Sequence, residues 1–325
     1  MARLKIPQED LVLQNRGVEI RLSRDYTNLE GESMQRLRAL LALHPKALRF
    51  METLVADLEM RAMWDASNYV TVAKLGYNDH GEVHHKVVAT AAASILQLLV
   101  EGGVQPDVVS SGAGDLDDAF FVTVTAALLH DIGNGVHRDD HPAFGVTLAL
   151  PLLERLMPAF YPDVEQRIEL RSFILHAIAT HDITMRPITV EASAVCVADA
   201  CDMTKGRARH VFDIGSISIH TVGALSIERV HIAKGRVKPV RVRVELSNSA
   251  GIFPVEEYLV PKINAGALDE AIEVEVTSQP IDVTTDQRIL YTVEMEGRRF
   301  VARHDEEPAP AANGSAPVNG TVQIK

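Results

Sequence analysis

The chain has 325 residues, 46% apolar and 23% charged, the composition of an ordinary soluble globular protein with material for one large domain and one small one. Its formal charge of −12 excludes an extended nucleic-acid surface, and an anionic substrate would need a locally positive site such as metal ions. Two cysteines, Cys196 and Cys201, are too few for a disulfide framework or a cysteine-rich zinc site, and read as reduced and buried.

Residues 1–29 read as an N-terminal extension; its opening MARLKIPQED has no apolar signal region. From 30 to 210 apolar residues recur at helical spacing in ESMQRLRALLALH, in PKALRFMETLVADLEMRAMWDASNYVTVAKLGY, in EVHHKVVATAAASILQLLVEGG, in DAFFVTVTAALLHDIG, in HPAFGVTLALPLLERL and in VEQRIELRSFILHAIATH. Pro45, Gly102, Gly103, Gly133, Pro151 and Pro187 punctuate these runs, which predicts a bundle of about seven or eight helices. The apolar stretch VVATAAASILQLLV is short for a bilayer, so a cytoplasmic protein with no membrane partner is expected. After 210 the period becomes two. KPVRVRVEL and AIEVEVTS alternate as strands, and PVEEYLVPKINAGAL between them reads as a helix bent or broken at Pro261. The expected fold is therefore mostly α, a helical bundle over 30–210 followed by a small α+β domain, ferredoxin-like or similar, over 211–305. The tail 306–325 is rich in Pro, Ala, Gly and Asn and is expected to be disordered.

The chemistry sits in the histidines and aspartates. In ALLHDIGNGVH the pair His130 and Asp131 directly follows an apolar helical run. Aspartate is rarely buried without a partner, so the pair either caps a helix end in water or holds a metal ion. Other candidates are His80, His84 and His85 at a helix start, His137 and His141 in GVHRDDHPAFG, His176 and His181 in LHAIATHDIT, and Asp199 in VCVADACDM. Facing helices of a bundle build metal centres from such ligands, and an open coordination position can carry water. His84 and His85 are adjacent and project about 100° apart, so one of them faces inward. With His84 inward, Val87, Val88 and Ala91 share its face. His44, His210, His220, His231 and His304 show no partner pattern and are expected to be structural or solvent-facing.

The order His84, then His130 and Asp131 followed by Ile132 and Gly133, then Asp199 inside VADACDM, resembles the HD-domain superfamily of metal-dependent phosphohydrolases. The matching motifs run from about Gly76 to Arg209. The resemblance implies that His84, His130, Asp131 and Asp199 hold one divalent ion and that Asp131 bridges to a second held by His141 and His181, the ions being Mn, Fe, Mg or Zn. It further implies hydrolysis of a phosphomonoester or phosphodiester, plausibly a nucleotide, by metal-activated water. His80 and Asp140 are candidates to protonate the leaving group.

One departure from the family pattern stands out. Many members carry a phosphate-holding lysine where this chain has Asn134, and Arg138, Lys205, Arg207 and Arg209 are the nearby cations that could replace it. Nothing names the substrate, since there is no glycine-rich phosphate loop and only one tryptophan. The same ligand types serve two other classes: a diiron oxygenase on the same scaffold, and a non-catalytic nucleotide sensor. In the sensor the C-terminal domain would transmit the signal or form a homo-oligomer.

Overall fold

The computed structural model describes residues 11–15, 18–22, 24–204, 226–278, 292–296 and 299–303. The described chain opens with two antiparallel strands, β1 (Leu11–Asn15) and β2 (Val18–Leu22), with Asn15 opposite Val18. The bundle follows as α1 (Arg24–Leu40), α2 (Pro45–Ala56), α3 (Leu58–Asn68), α4 (Glu82–Glu101), α5 (Asp107–Ser110), α6 (Leu116–Leu129), α7 (His141–Leu156), α8 (Val164–Thr180) and α9 (Val190–Cys201). The helical pattern from Pro45 onward is interrupted at Asp57. Its carboxylate accepts the amides of Glu59 and Met60, so one residue ends α2 and caps α3. Pro151 does not end α7 as expected; it lies inside the helix on the exposed side. There the missing N–H costs one hydrogen bond without forcing a buried group to go unpaired.

Helix α4 is the axis of the bundle, packed against α1, α6 and α9 and touching the C-terminal sheet. Ala89, Ala92 and Ala93 let neighbouring backbones approach, while Val88, Ile95, Leu96 and Leu99 are fully buried. Each such aliphatic side chain contributes roughly 1.5–3 kcal/mol on burial. By length and composition this 20-residue helix could cross a membrane, but most of it is buried by protein, and its first turn carries two histidines. It is the core helix of the bundle.

The C-terminal α+β domain contains β3 (Ile227–Lys234), β4 (Val240–Leu246), β5 (Ile272–Ser278), β6 (Thr292–Glu296) and β7 (Arg299–Arg303), side by side in chain order. Only β4 and β5 are parallel, and the segment joining them is helical. This segment, α10, is Ile252–Pro254, a π-helical turn Val255–Leu259, and Val260–Ala265. Pro261 therefore does not break it, because it stands in the first turn of Val260–Ala265, where a missing N–H is tolerated. Val240, Val242 and Val244 of β4 and Ile272, Val274 and Val276 of β5 alternate inward, as the sequence pattern predicts, and join the same hydrophobic core as the bundle. The tail 306–325 lies outside the described residues.

Candidate metal centre

Local chemistry sets each ligand-bearing turn. Asp79 accepts the amides of Gly81 and His84 at the start of α4, and Asn68 Nδ2 donates to Asp79 Oδ1 while its own Oδ1 accepts the His80 amide. Gly81 is required there, because a Cβ would run into the Asn68 side chain. His130 ends α6, and the chain turns at Asp131 into the 3-10 segment Ile132–Gly135. Ser67 of α3 donates to the carbonyls of Asp131 and Ile132, and the Trp64 indole donates to Leu128 O, so α3 buttresses this turn. Gly133 lies so close to α7 that a Cβ would collide with the His141 carbonyl and the Gly145 amide. That approach lets His141, the first residue of α7, reach Asp131.

The expected ligands converge in two groups that share Asp131. In the first, His84 Nε2 is 3.4 Å from Asp131 Oδ2, 3.2 Å from Asp199 Oδ1 and 3.1 Å from His130 Nε2. His130 Nε2 is 3.4 Å from Asp131 Oδ2 and 3.6 Å from Asp199 Oδ1. In the second, Asp131 Oδ1 is 3.2 Å from His141 Nε2 and 3.3 Å from His181 Nε2, which are 3.0 Å from each other. Asp131 thus turns one oxygen to each group.

The donor set fits metal ions. All four histidines have Nδ1 engaged: with Asp202 Oδ2 at 2.7 Å for His84, and with the carbonyls of Ala127, Arg138 and Ile178 for His130, His141 and His181. These acceptors hold the proton on Nδ1 and leave Nε2 as a bare lone pair aimed inward. Two bare nitrogens about 3 Å apart repel each other unless a cation or proton lies between them. Donors about 2.1 Å from one ion stand about 3.0–3.4 Å apart in octahedral or tetrahedral arrangements, which is close to the spacings observed.

The electrostatics agree. Burial would raise Asp131, but His130 beside it, with His141 and His181 at close range on its other oxygen, takes it well below the usual carboxylate range. Asp199 is likewise held well below that range, against the effect of burial, by Lys262 and the two histidines of its group. Burial would lower His130, and the charges of Asp131 and Asp199 outweigh it and raise it. His181 is lowered by burial.

Other candidates separate cleanly. His80 is buried, with Nδ1 on Asn78 O at 2.6 Å and Nε2 3.9 Å from Asp131 Oδ2, at the rim of the cluster. Asp140 belongs to neither group: it is exposed, in the left-handed backbone region at φ 58°, as the residue that starts α7. The structure therefore does not bring it to the cluster, as had been expected for a proton donor. His137 is exposed beside Asp139, and His176 Nε2 accepts the Ile188 amide, so neither joins the cluster. His44 is structural, stacked on Phe120 at 4.0 Å. His85 corrects the expectation that only one of the adjacent pair faces inward: both are fully buried. His85 bonds Gly81 O and packs between Trp64 and His130, and burial holds it neutral. Cys196 and Cys201 are free and buried, each thiol pushed up to about 12 by burial.

Asn134, standing where a lysine was expected, is buried; its Nδ2 donates to Asp131 Oδ1 at 2.8 Å, and its Oδ1 accepts from Arg138 Nη1 at 3.1 Å. Arg138 Nη1 is also 3.4 Å from His141 Nε2, which puts one expected cation at the second group. Lys205, Arg207 and Arg209 lie outside the described residues. Two residues were missed. Asp202 stands three positions after Asp199 in the quoted motif and orients His84. Lys262 reaches Asp199 Oδ2 at 2.5 Å from α10. No local pattern marks it, since it comes from the other domain.

Two outcomes test this arrangement. Asp202→Ala should weaken metal binding at the first group about 10- to 100-fold by freeing the His84 ring, as loss of an imidazole's outer hydrogen-bond partner generally does. A metal titration reads it, and unchanged affinity would remove Asp202 from the account. Gly133→Ala should cost about 1–3 kcal/mol through forced overpacking and displace His141. Thermal unfolding and metal stoichiometry, expected to fall by one equivalent, would show both; no change in either would mean the turn gives way.

The HD domain family model matches residues 110–204, a stretch that includes every residue of the two groups except His84. An uncharacterized protein of Methanocaldococcus jannaschii is 39% identical over 223 residues, covering 69% of this chain and 86% of its own length. No solved structure matches. With the histidine and aspartate cluster in place around the doublet, the chain belongs to the HD-domain superfamily.

Proposed function

We propose that this protein is a phosphohydrolase that cleaves a phosphomonoester or phosphodiester, with a nucleotide-like substrate as the leading class, in a cytoplasmic setting consistent with its free buried thiols. Two divalent ions, Mn, Fe, Mg or Zn, held by His84, His130, Asp131 and Asp199 and by Asp131, His141 and His181, would supply an acidified water and neutralise phosphoryl charge. The chain's own residues do the rest. Asp131, with one oxygen toward each group, keeps the two in register. Asn134 fixes its orientation, and Arg138, anchored on Asn134, offers a guanidinium to a phosphoryl oxygen. His80, its Nδ1 proton held on Asn78 O, directs Nε2 toward the cluster, where it can carry a proton to the departing oxygen. Burial of the four ligand histidines limits water to the reacting edge.

The observation that carries the reading is the shared Asp131 between two histidine groups with a cation at the rim. The diiron oxygenase would use the same ligands, so the test must separate them. Protein purified without chelator would be screened against phosphomonoesters and phosphodiesters with Mn²⁺, Mg²⁺ or Fe²⁺, following phosphate release and O₂ uptake in parallel. Metal-dependent hydrolysis is the expected result. O₂ uptake with a substrate, and no ester cleaved across the screen, would overturn it.

A further inference from the structure

A cation from outside the helical bundle completes the rim of this cluster. Lys262 sits on α10, between the parallel strands β4 and β5, yet its Nζ is 2.5 Å from Asp199 Oδ2. Its side chain is 12% exposed and that of Asp199 17%, so the pair is sheltered but still open to a ligand at one edge. Asp199 turns its other oxygen, Oδ1, to His84 and His130, so Lys262 does not compete for the metal-facing atom. The helix end is fastened to the bundle just after the lysine's turn. Arg186 Nε donates to Ala265 O at 3.0 Å, and the Ala267 amide donates to Ser193 Oγ at 2.9 Å. At Gly266 a Cβ would crowd Ser193, so the close approach of α10 to α9 depends on that glycine.

An ammonium has three donors, and among the described residues Lys262 Nζ meets one side-chain acceptor, Asp199 Oδ2. Asp199 belongs only to the first group and His141 only to the second, so Lys262 and Arg138 stand at the two ends of the cluster. The position a family lysine would fill is occupied by Asn134, already spent on Asp131 and Arg138. We propose that Lys262, supplied by the C-terminal domain, is the ammonium that holds the substrate's phosphoryl group at the Asp199 end of the site, opposite Arg138. The proposal rests on the phosphohydrolase reading above. It gives the α+β domain a direct part in the active site: without α10 the bundle has its metal ligands but lacks one of its two phosphate-holding cations.

The test uses the full chain loaded with Mn²⁺ and inorganic phosphate as probe, with binding measured by calorimetry and metal content measured beside it. Lys262→Met keeps the length and packing of the stem but removes the charge, and Lys262→Arg keeps the charge. The expected result is that wild type binds phosphate and that Lys262→Met retains the metal content of wild type but binds phosphate at least about tenfold more weakly. Lys262→Arg should recover most of that affinity. If Lys262→Met binds phosphate as wild type does, or if it loses metal in step with phosphate, the proposal is overturned while the hydrolase reading stands. In the second case Lys262 would only position Asp199. If metal-loaded wild type has no affinity for phosphate, the phosphohydrolase reading fails first and the proposal falls with it. Should Lys262→Met fail to fold, Lys262→Gln would be measured in the same way, with the same results supporting or overturning the assignment.

Discussion

Asp131→Ala is expected to empty both groups and bring turnover down at least about 10⁴-fold, equivalent to about 5.5 kcal/mol of lost transition-state stabilisation. Each oxygen of this carboxylate serves a different group: Oδ2 meets His84 and His130, and Oδ1 meets His141 and His181. Removing it leaves His141 and His181 facing one another with no anion between them, and leaves Asp199 as the single carboxylate of the first group. The bundle should survive, because its core is built from aliphatic and aromatic side chains such as Trp64, Phe50, Phe120, Leu96 and Ile174, none of which depends on Asp131. Metal analysis beside circular dichroism separates the two effects. A variant with full metal content and normal turnover would refute the central role given to the doublet; one that unfolds would mean that the cluster also holds the fold.

His181→Ala should take away one metal equivalent and leave the other, with turnover lower by roughly 10²- to 10³-fold. One ion can still meet a phosphoryl oxygen, but it cannot share an activated water or divide the transition-state charge with a neighbour. His141→Ala should behave alike, since both imidazoles address the same oxygen of Asp131. His137→Ala is the control: that ring is exposed and, among the described residues, pairs with Asp139 alone, so neither metal content nor rate should move. Titrating Mn²⁺ into each variant with a phosphate ester as reporter reads the effect. If His181→Ala kept both equivalents, the second group would not be a metal site.

What the sequence could tell follows the range of each physical signal. Helical and strand periodicity are local, so the runs that became α4, α6, α7 and α8 and the paired faces of β4 and β5 were legible from apolar spacing alone. The split at Asp57 depended on a side chain accepting two amides, which apolar spacing does not register. The paired strands at 11–15 and 18–22 did carry a mark, the period-two alternation of VEIRL in the second of them. At the site, the six candidate residues stood out because their order along the chain is distinctive, and the structure brings all six together in two groups that could hold metal ions. The outer residues were not. Whether His85 joins His84 inside depends on Trp64 packing against it from another helix, and Lys262 meets Asp199 across 63 positions and a change of domain. Asp140 was drawn in by its place beside His141, but adjacency in the chain says little where the backbone turns through φ 58°.

On the proposed function, two cations belong between these facing nitrogens. Metal quantitation on protein purified without chelator, repeated after reconstitution with Mn²⁺ or Fe²⁺ and removal of loosely bound ions, tests it most directly. Two equivalents per chain are expected, one lost on His181→Ala and both on Asp131→Ala. A wild-type protein that retains no metal after reconstitution, or retains the same amount in both variants, would contradict it.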